Sequence, residues 1–87
     1  MNFESFIIFR KERFSIGIEK DSGKYFVSFP VFNGMVEYSE YYEISNQEYA
    51  IFNKDIEQLR EFVAKCKNHK EDFRLIEKPG SIRGEPC

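Results

Sequence analysis

Residues 36–44 read V-E-Y-S-E-Y-Y-E-I and hold three glutamates and three tyrosines with no cation. Paired carboxylates are the one enzymatic motif in the chain. Two glutamates do acid–base work when their surroundings push their pKa values apart. Side chains on a strand alternate between faces, so Glu37, Ser39, Tyr41 and Glu43 share one side. An open sheet face supplies no burial to separate the two carboxyls. It suits contact better, because tyrosine beside charge is what anchored interfaces use.

The other reactive groups are isolated. His69 is the only histidine, in Lys67-Asn68-His69-Lys70 at the end of a helical pattern. There it complements the negative end of the helix dipole. Cys66 falls on an apolar helical stripe and reads as a small packed hydrophobe. Cys66 and Cys87 form neither a CxxC pattern nor, with one histidine, a zinc set. Gly23, Gly34 and Gly80 read as turn glycines, not as a phosphate loop. No catalytic residue, metal or cofactor is assigned.

The elements that must position the acidic run are legible. Phe14 to Glu19 alternates apolar and polar, the signature of a half-buried strand. Residues 21–24 read as a turn and 25–32 as a second strand. Asn33-Gly34 is the strongest short hairpin signal, and residues 35–44 make the third strand. A two-residue second loop sets Val31 against Val36 and Phe29 against Tyr38. A four-residue first turn sets Ile16 against Phe29. Both registers gather Phe14, Ile16, Ile18, Tyr25, Val27, Phe29, Val31, Val36, Tyr38 and Tyr42 on one face. Two residues resist: Pro30 in the central strand, and Glu40 on the apolar face. A bulge near residues 39–41 would relieve them.

Ser45-Asn46-Gln47-Glu48 is a capping box that starts a helix. Its stripe runs Tyr49, Phe52, Ile56, Leu59, Phe62, Val63 and Cys66, at helical spacing. Asp55 and Gln58 resemble a second cap, but the stripe keeps phase, so one helix to about Asn68 is preferred. Residues 73–77 read as a last short strand or an extended arm, and Phe3 to Phe9 as a strand or a short helix. The expected fold is α+β: a three- to four-stranded antiparallel meander on one long C-terminal helix, or on that helix broken at Asp55. Residues 1–78 form one domain, and 79–87 read as a mobile tail.

The totals agree with one small domain of 87 residues, 41% hydrophobic and 17% aromatic. Such a chain builds a core without disulfide staples. Nothing resembles a signal peptide or a membrane span, which points to the cytoplasm. Residues 25–53 carry four glutamates and no Lys or Arg, although the net charge is only −2. That argues against nucleic acid and for a basic protein partner. The outer face would present Phe26, Phe32, Tyr41, Glu37 and Glu43, unless the N-terminal segment folds over it. The candidate partner-binding residues are Glu37, Glu40, Tyr41, Glu43, Phe26 and Phe32.

Ile16-Gly17-Ile18, the run G-K-Y-F-V-S from Gly23, Pro30-Val31 and the run E-Y-Y-E-I-S from Glu40 carry a resemblance. They are similar to small bacterial proteins found near secreted polymorphic toxins, some of them immunity proteins of contact-dependent growth inhibition systems. The likeness spans roughly residues 14–80 and transfers no functional residue. It implies a cytoplasmic protein that binds and neutralises a cognate toxin domain. Two other readings stand beside it. One is a homodimer or larger homo-oligomer that buries the open face or a strand edge. The other is a small enzyme using the glutamates.

Overall fold

The computed structural model describes residues 2–77 and 83–86. It is an α+β protein whose antiparallel strands run β1 (Phe3–Phe9), β2 (Phe14–Glu19), β3 (Lys24–Phe32) and β4 (Glu37–Ile44), in that spatial order. Helices α1 (Asn46–Lys54) and α2 (Ile56–Lys67) follow. A short 3₁₀ turn (Asp72–Arg74) and a two-residue strand β5 (Glu85–Pro86), paired with β3, complete the described chain.

The faces of the meander are those that alternation gives; the register is not. Tyr25 pairs with Ile44 and Val31 with Tyr38, two residues from the expected alignment. Ile16 pairs with Val27, again two residues away. A slip of two keeps every side chain on its face, whereas a slip of one would invert them. Both slips have a cause in turn chemistry. Asn33 Oδ1 accepts from the Met35 and Val36 amides at 2.9 Å, so the side chain takes the place of a main-chain partner. This centres the turn on Gly34-Met35, with Gly34 at φ 91°. The first turn keeps four residues but begins at Lys20, because Glu19 grips it from within. Its carboxylate accepts from the Asp21 and Ser22 amides, both at 2.9 Å.

Pro30 causes no conflict. The Asn33 amide donates to the Val36 carbonyl at 3.2 Å. Bonding alternates along an antiparallel strand, so the Pro30 nitrogen faces the β2 side. The last β2 pair there is Ser15 with Ser28, so Pro30 lies beyond the ladder. The expected irregularity near residues 39–41 is absent, and β4 pairs without interruption from Glu37 to Ile44. The bulge lies in β1, between Ser5 and Ile7.

The long helix is two helices. Asp55 leaves helical geometry at φ −133°, ψ 93°, and its side chain caps α2 through the Glu57 and Gln58 amides. Stripe continuity did not guarantee backbone continuity, because both helices press the same stripe on the sheet. Phe52, Leu59, Phe62, Val63 and Cys66 join Phe14, Ile16, Val27, Phe29, Val31, Tyr42 and Ile44 in one core. Residues 73–77 are no strand. They leave the 3₁₀ turn with Leu75 bridging Tyr42 and the Ile76 amide donating to Tyr41 at 2.9 Å.

The outer face is closed at one end by β1. Phe3 stacks on Tyr41 with ring centroids 3.7 Å apart and meets Phe26 edge-on at 5.3 Å. Phe26 is fully buried as a result. The Asn2 amide donates to Glu19 Oε2 at 2.8 Å and ties down the start of the strand. This donor, with Ser22 and Asp21, holds the Glu19 carboxyl down to about 2 from its ordinary 4.5. A depressed carboxyl stabilises the fold above its unfolded pKa and loses that contribution as pH falls through the folded value. Stability is therefore expected to fall between about pH 4.5 and pH 2. Urea melts across that range are expected to show a flatter acid limb for Glu19→Gln; an unchanged slope would remove Glu19 from the cause.

Candidate functional site

The six candidate contact residues do not form one surface. Glu40 is on the helix side of the sheet and is 5% exposed. Phe26 is in the interior of the outer face, and Tyr41 is partly covered by Phe3. Glu37 and Glu43 do point outward, but each has a cation beside it. Arg13 Nη2 is 3.0 Å from Glu37 and Lys24 Nζ is 3.4 Å from Glu43. Exposed pairs of this kind contribute little to stability, but they offset two of the three glutamates that make the run look acidic. Phe32 remains 52% exposed.

Glu40 owes its burial to Arg83. The guanidinium clamps it with two bonds, Nε to Oε2 at 2.9 Å and Nη2 to Oε1 at 3.0 Å. It also spans to Asp72, at 2.6 Å and 3.0 Å. Tyr42 completes the network: its hydroxyl donates to Glu40 at 3.1 Å and accepts from Arg83 at 3.1 Å. Burial, then the Glu40 charge, pushes the phenol well above its usual range. Asp72, then Glu40, raises the Arg83 guanidinium further. Tyr42 and Arg83 hold their protons more tightly than usual and Arg83 holds the Asp72 carboxyl below its usual range, so the cluster serves structure.

Arg83 reaches this site because residues 83–86 dock on the sheet instead of forming a tail. The Gly84 amide donates to Tyr38 Oη at 2.8 Å, and β5 pairs with β3 where β2 has ended. A Cβ on Gly84 would come within 2.8 Å of the Phe32 backbone, so the approach needs glycine. Residues 78–82 and Cys87 lie outside the described residues. A second arginine works alike. Arg74 forks Glu48 at 2.9 and 3.0 Å, holds Glu71 at 2.7 Å and reaches the Glu43 carbonyl at 3.2 Å. It ties the 3₁₀ turn to the capping box of α1.

A groove of about 360 Å³ lies on the outer side, lined in part by Arg10, Arg13, Ser15, Ser28 and Ser39. Ser15 Oγ sits 2.8 Å from Ser28 Oγ and 3.2 Å from Ser5 Oγ, so these hydroxyls satisfy one another. His69 faces Asp72 and Glu85, not the serines. Burial pushes the Cys66 thiol up to about 12, which makes it a core group rather than a nucleophile. Among the described residues no group of three His, Cys, Asp or Glu side chains could hold a metal, and no helix is long and apolar enough to cross a membrane.

Two clusters of large apolar side chains stand exposed. Phe32, Met35 and Val36 are 52%, 78% and 56% exposed around the β3–β4 turn, with Glu37 next in line. Phe6, Ile7 and Ile8 form a second patch on β1. Sequence reasoning singled out Phe32 and Glu37 but placed Val36 on the core face, where the two-residue change of register instead leaves it in the turn and 56% exposed; it did not single out Met35, and it weighed the N-terminal strand only as a cover for the outer face. The signal was there: a turn that is apolar at its tip is unusual.

Comparison of the chain with family models, curated proteins and solved structures gives no significant match.

Proposed function

We propose that the chain is a non-catalytic protein-binding module of the immunity type, acting in the cytoplasm on a basic toxin domain. The observation that carries this reading is the tip of the β3–β4 hairpin. Phe32, Met35 and Val36 stand exposed beside the carboxylate of Glu37. Apolar anchors within a charged rim are the usual anatomy of a contact surface. The outward acids Glu37 and Glu43 flank it, paired with the surface cations Arg13 and Lys24, which a partner's arginine or lysine can replace. Charge complementarity then selects the partner and speeds its approach.

The test is co-expression with basic toxin domains, with growth as the readout and calorimetry for affinity. Wild type is expected to protect, with affinity falling as salt rises. Met35→Arg is expected to weaken binding about tenfold or more, by placing a like charge against a basic surface. Met35 is 78% exposed, so the substitution leaves the core intact. Salt-independent binding, or full affinity in both Met35→Arg and Glu37→Lys, would refute the proposal.

A further inference from the structure

The sheet protects its edges unevenly. On one side, Leu75 and Ile76 bond to β4 at Tyr42 and Tyr41. The overhang of β3 is covered by β5. At the other side stands β1, which among the described residues has β2 as its strand partner and nothing beyond it. An uncovered edge is a template for another strand, and proteins usually blunt it with charge or proline. This one carries Phe6, Ile7 and Ile8 at 49%, 41% and 58% exposure.

We propose that β1 pairs antiparallel with β1 of a second copy, making a continuous sheet across a two-fold axis. The main chain fits that arrangement. The Lys20 amide donates to the Asn2 carbonyl at 2.8 Å, so even residues face β2 in the first half of β1. Past the bulge Ile7 pairs with Ile16, which turns Ile8 to the free side. Ser5 and Ile8 therefore direct their amides and carbonyls outward. With Phe6 as the extra residue of the bulge, an axis through Ile7 sets Ser5 of each copy against Ile8 of the other, with both exchanging bonds. The axis is normal to the sheet, so both copies keep their helices on one side.

The side chains fit as well. Phe6 approaches Tyr49 at 6.2 Å between centroids, and Ile7 shares the face of Ile16, so the bulge puts both on the helix side. Ile7 then meets its own counterpart, flanked by both Phe6 rings, while each Ile8 packs on the outer side. The strand is also polar in charge: Glu4 stands near its start, and Arg10 and Lys11 follow its end. Antiparallel copies run each acidic end toward the other's basic end. A same-sign strand would gain nothing from its own copy. A seam of seven residues is about 23 Å long, and dimer and monomer exchange with concentration.

Sedimentation of the full chain tests this. The mass is expected to rise from 10.4 kDa toward twice that value with concentration. Ile8→Lys is expected to raise the dimer dissociation constant about tenfold or more while leaving the thermal melt of the monomer in place. Register is read by cross-linking in a Cys87→Ser background. Ile7→Cys is expected to form a disulfide-linked dimer under mild oxidation, and Ser22→Cys, in the β2–β3 turn, is not. A chain that stays monomeric at every concentration overturns the proposal. So does an Ile8→Lys variant that dimerises like wild type.

Discussion

Arg83→Ala is expected to lower the free energy of unfolding by about 3 kcal/mol. Removing one partner of a buried pair leaves the other charge desolvated, and that costs about 3–5 kcal/mol when burial is complete. Glu40 is nearly so, with 4% of its side chain exposed, but Arg83 keeps 23%. The lower end of the range therefore applies. The substitution also takes a donor from Tyr42 and both bonds from Asp72. Small domains hold only about 5–15 kcal/mol in all, so the variant is expected to unfold at much lower urea. Glu40→Leu with Arg83→Met separates the pair from the packing. Replacing both charges is often neutral or stabilising, so this double variant is expected to exceed Arg83→Ala in stability. A loss below about 1 kcal/mol in Arg83→Ala would mean that the clamp does not hold in solution.

That arginine also marks where sequence reading stops. Alternation placed Glu40 on the core face correctly and flagged it as anomalous. It could not supply the answer, because Arg83 lies 43 residues away. An ion pair at that distance has no period to detect, and Pro79-Gly80 made the segment read as a tail. The hairpin faces were legible because burial repeats every second residue. The registers were not, because a slip of two leaves that repeat unchanged. Asn33 and Glu19 chose between the alternatives with side-chain bonds to turn amides. The helix break was half legible: Asp55 and Gln58 were recognised as a cap, but an unbroken apolar stripe outweighed them. The contact surface suffered most. Glu37 and Glu43 read as an acidic run because their cations, Arg13 and Lys24, sit on other strands or turns.

Gly17→Ala is expected to cost about 3 kcal/mol and to open the outer face of the sheet. Gly17 pairs with Ser5 beneath the start of β1. A Cβ there would stand 2.0 Å from the Glu4 carbonyl oxygen and 2.7 Å from Ser5 Cα. Both are main-chain atoms, so no rotamer change relieves the clash and the strand must lift. Overpacking alone costs about 1–3 kcal/mol. Lifting also withdraws Phe3 from Phe26 and Tyr41 and breaks the Asn2 bond to Glu19. Urea melts give the loss, and faster amide exchange at residues 2–5 locates it. A change under about 0.5 kcal/mol would mean that β1 does not lie against Gly17. The variant also discriminates between two contact surfaces. The lifted strand uncovers Tyr41 and Phe26 and leaves Phe32, Met35 and Val36 as they were. If the partner uses the hairpin tip, its affinity for the folded variant stays at the wild-type level. If the aromatic outer face is the true contact, uncovering it raises that affinity, and the tip loses its claim.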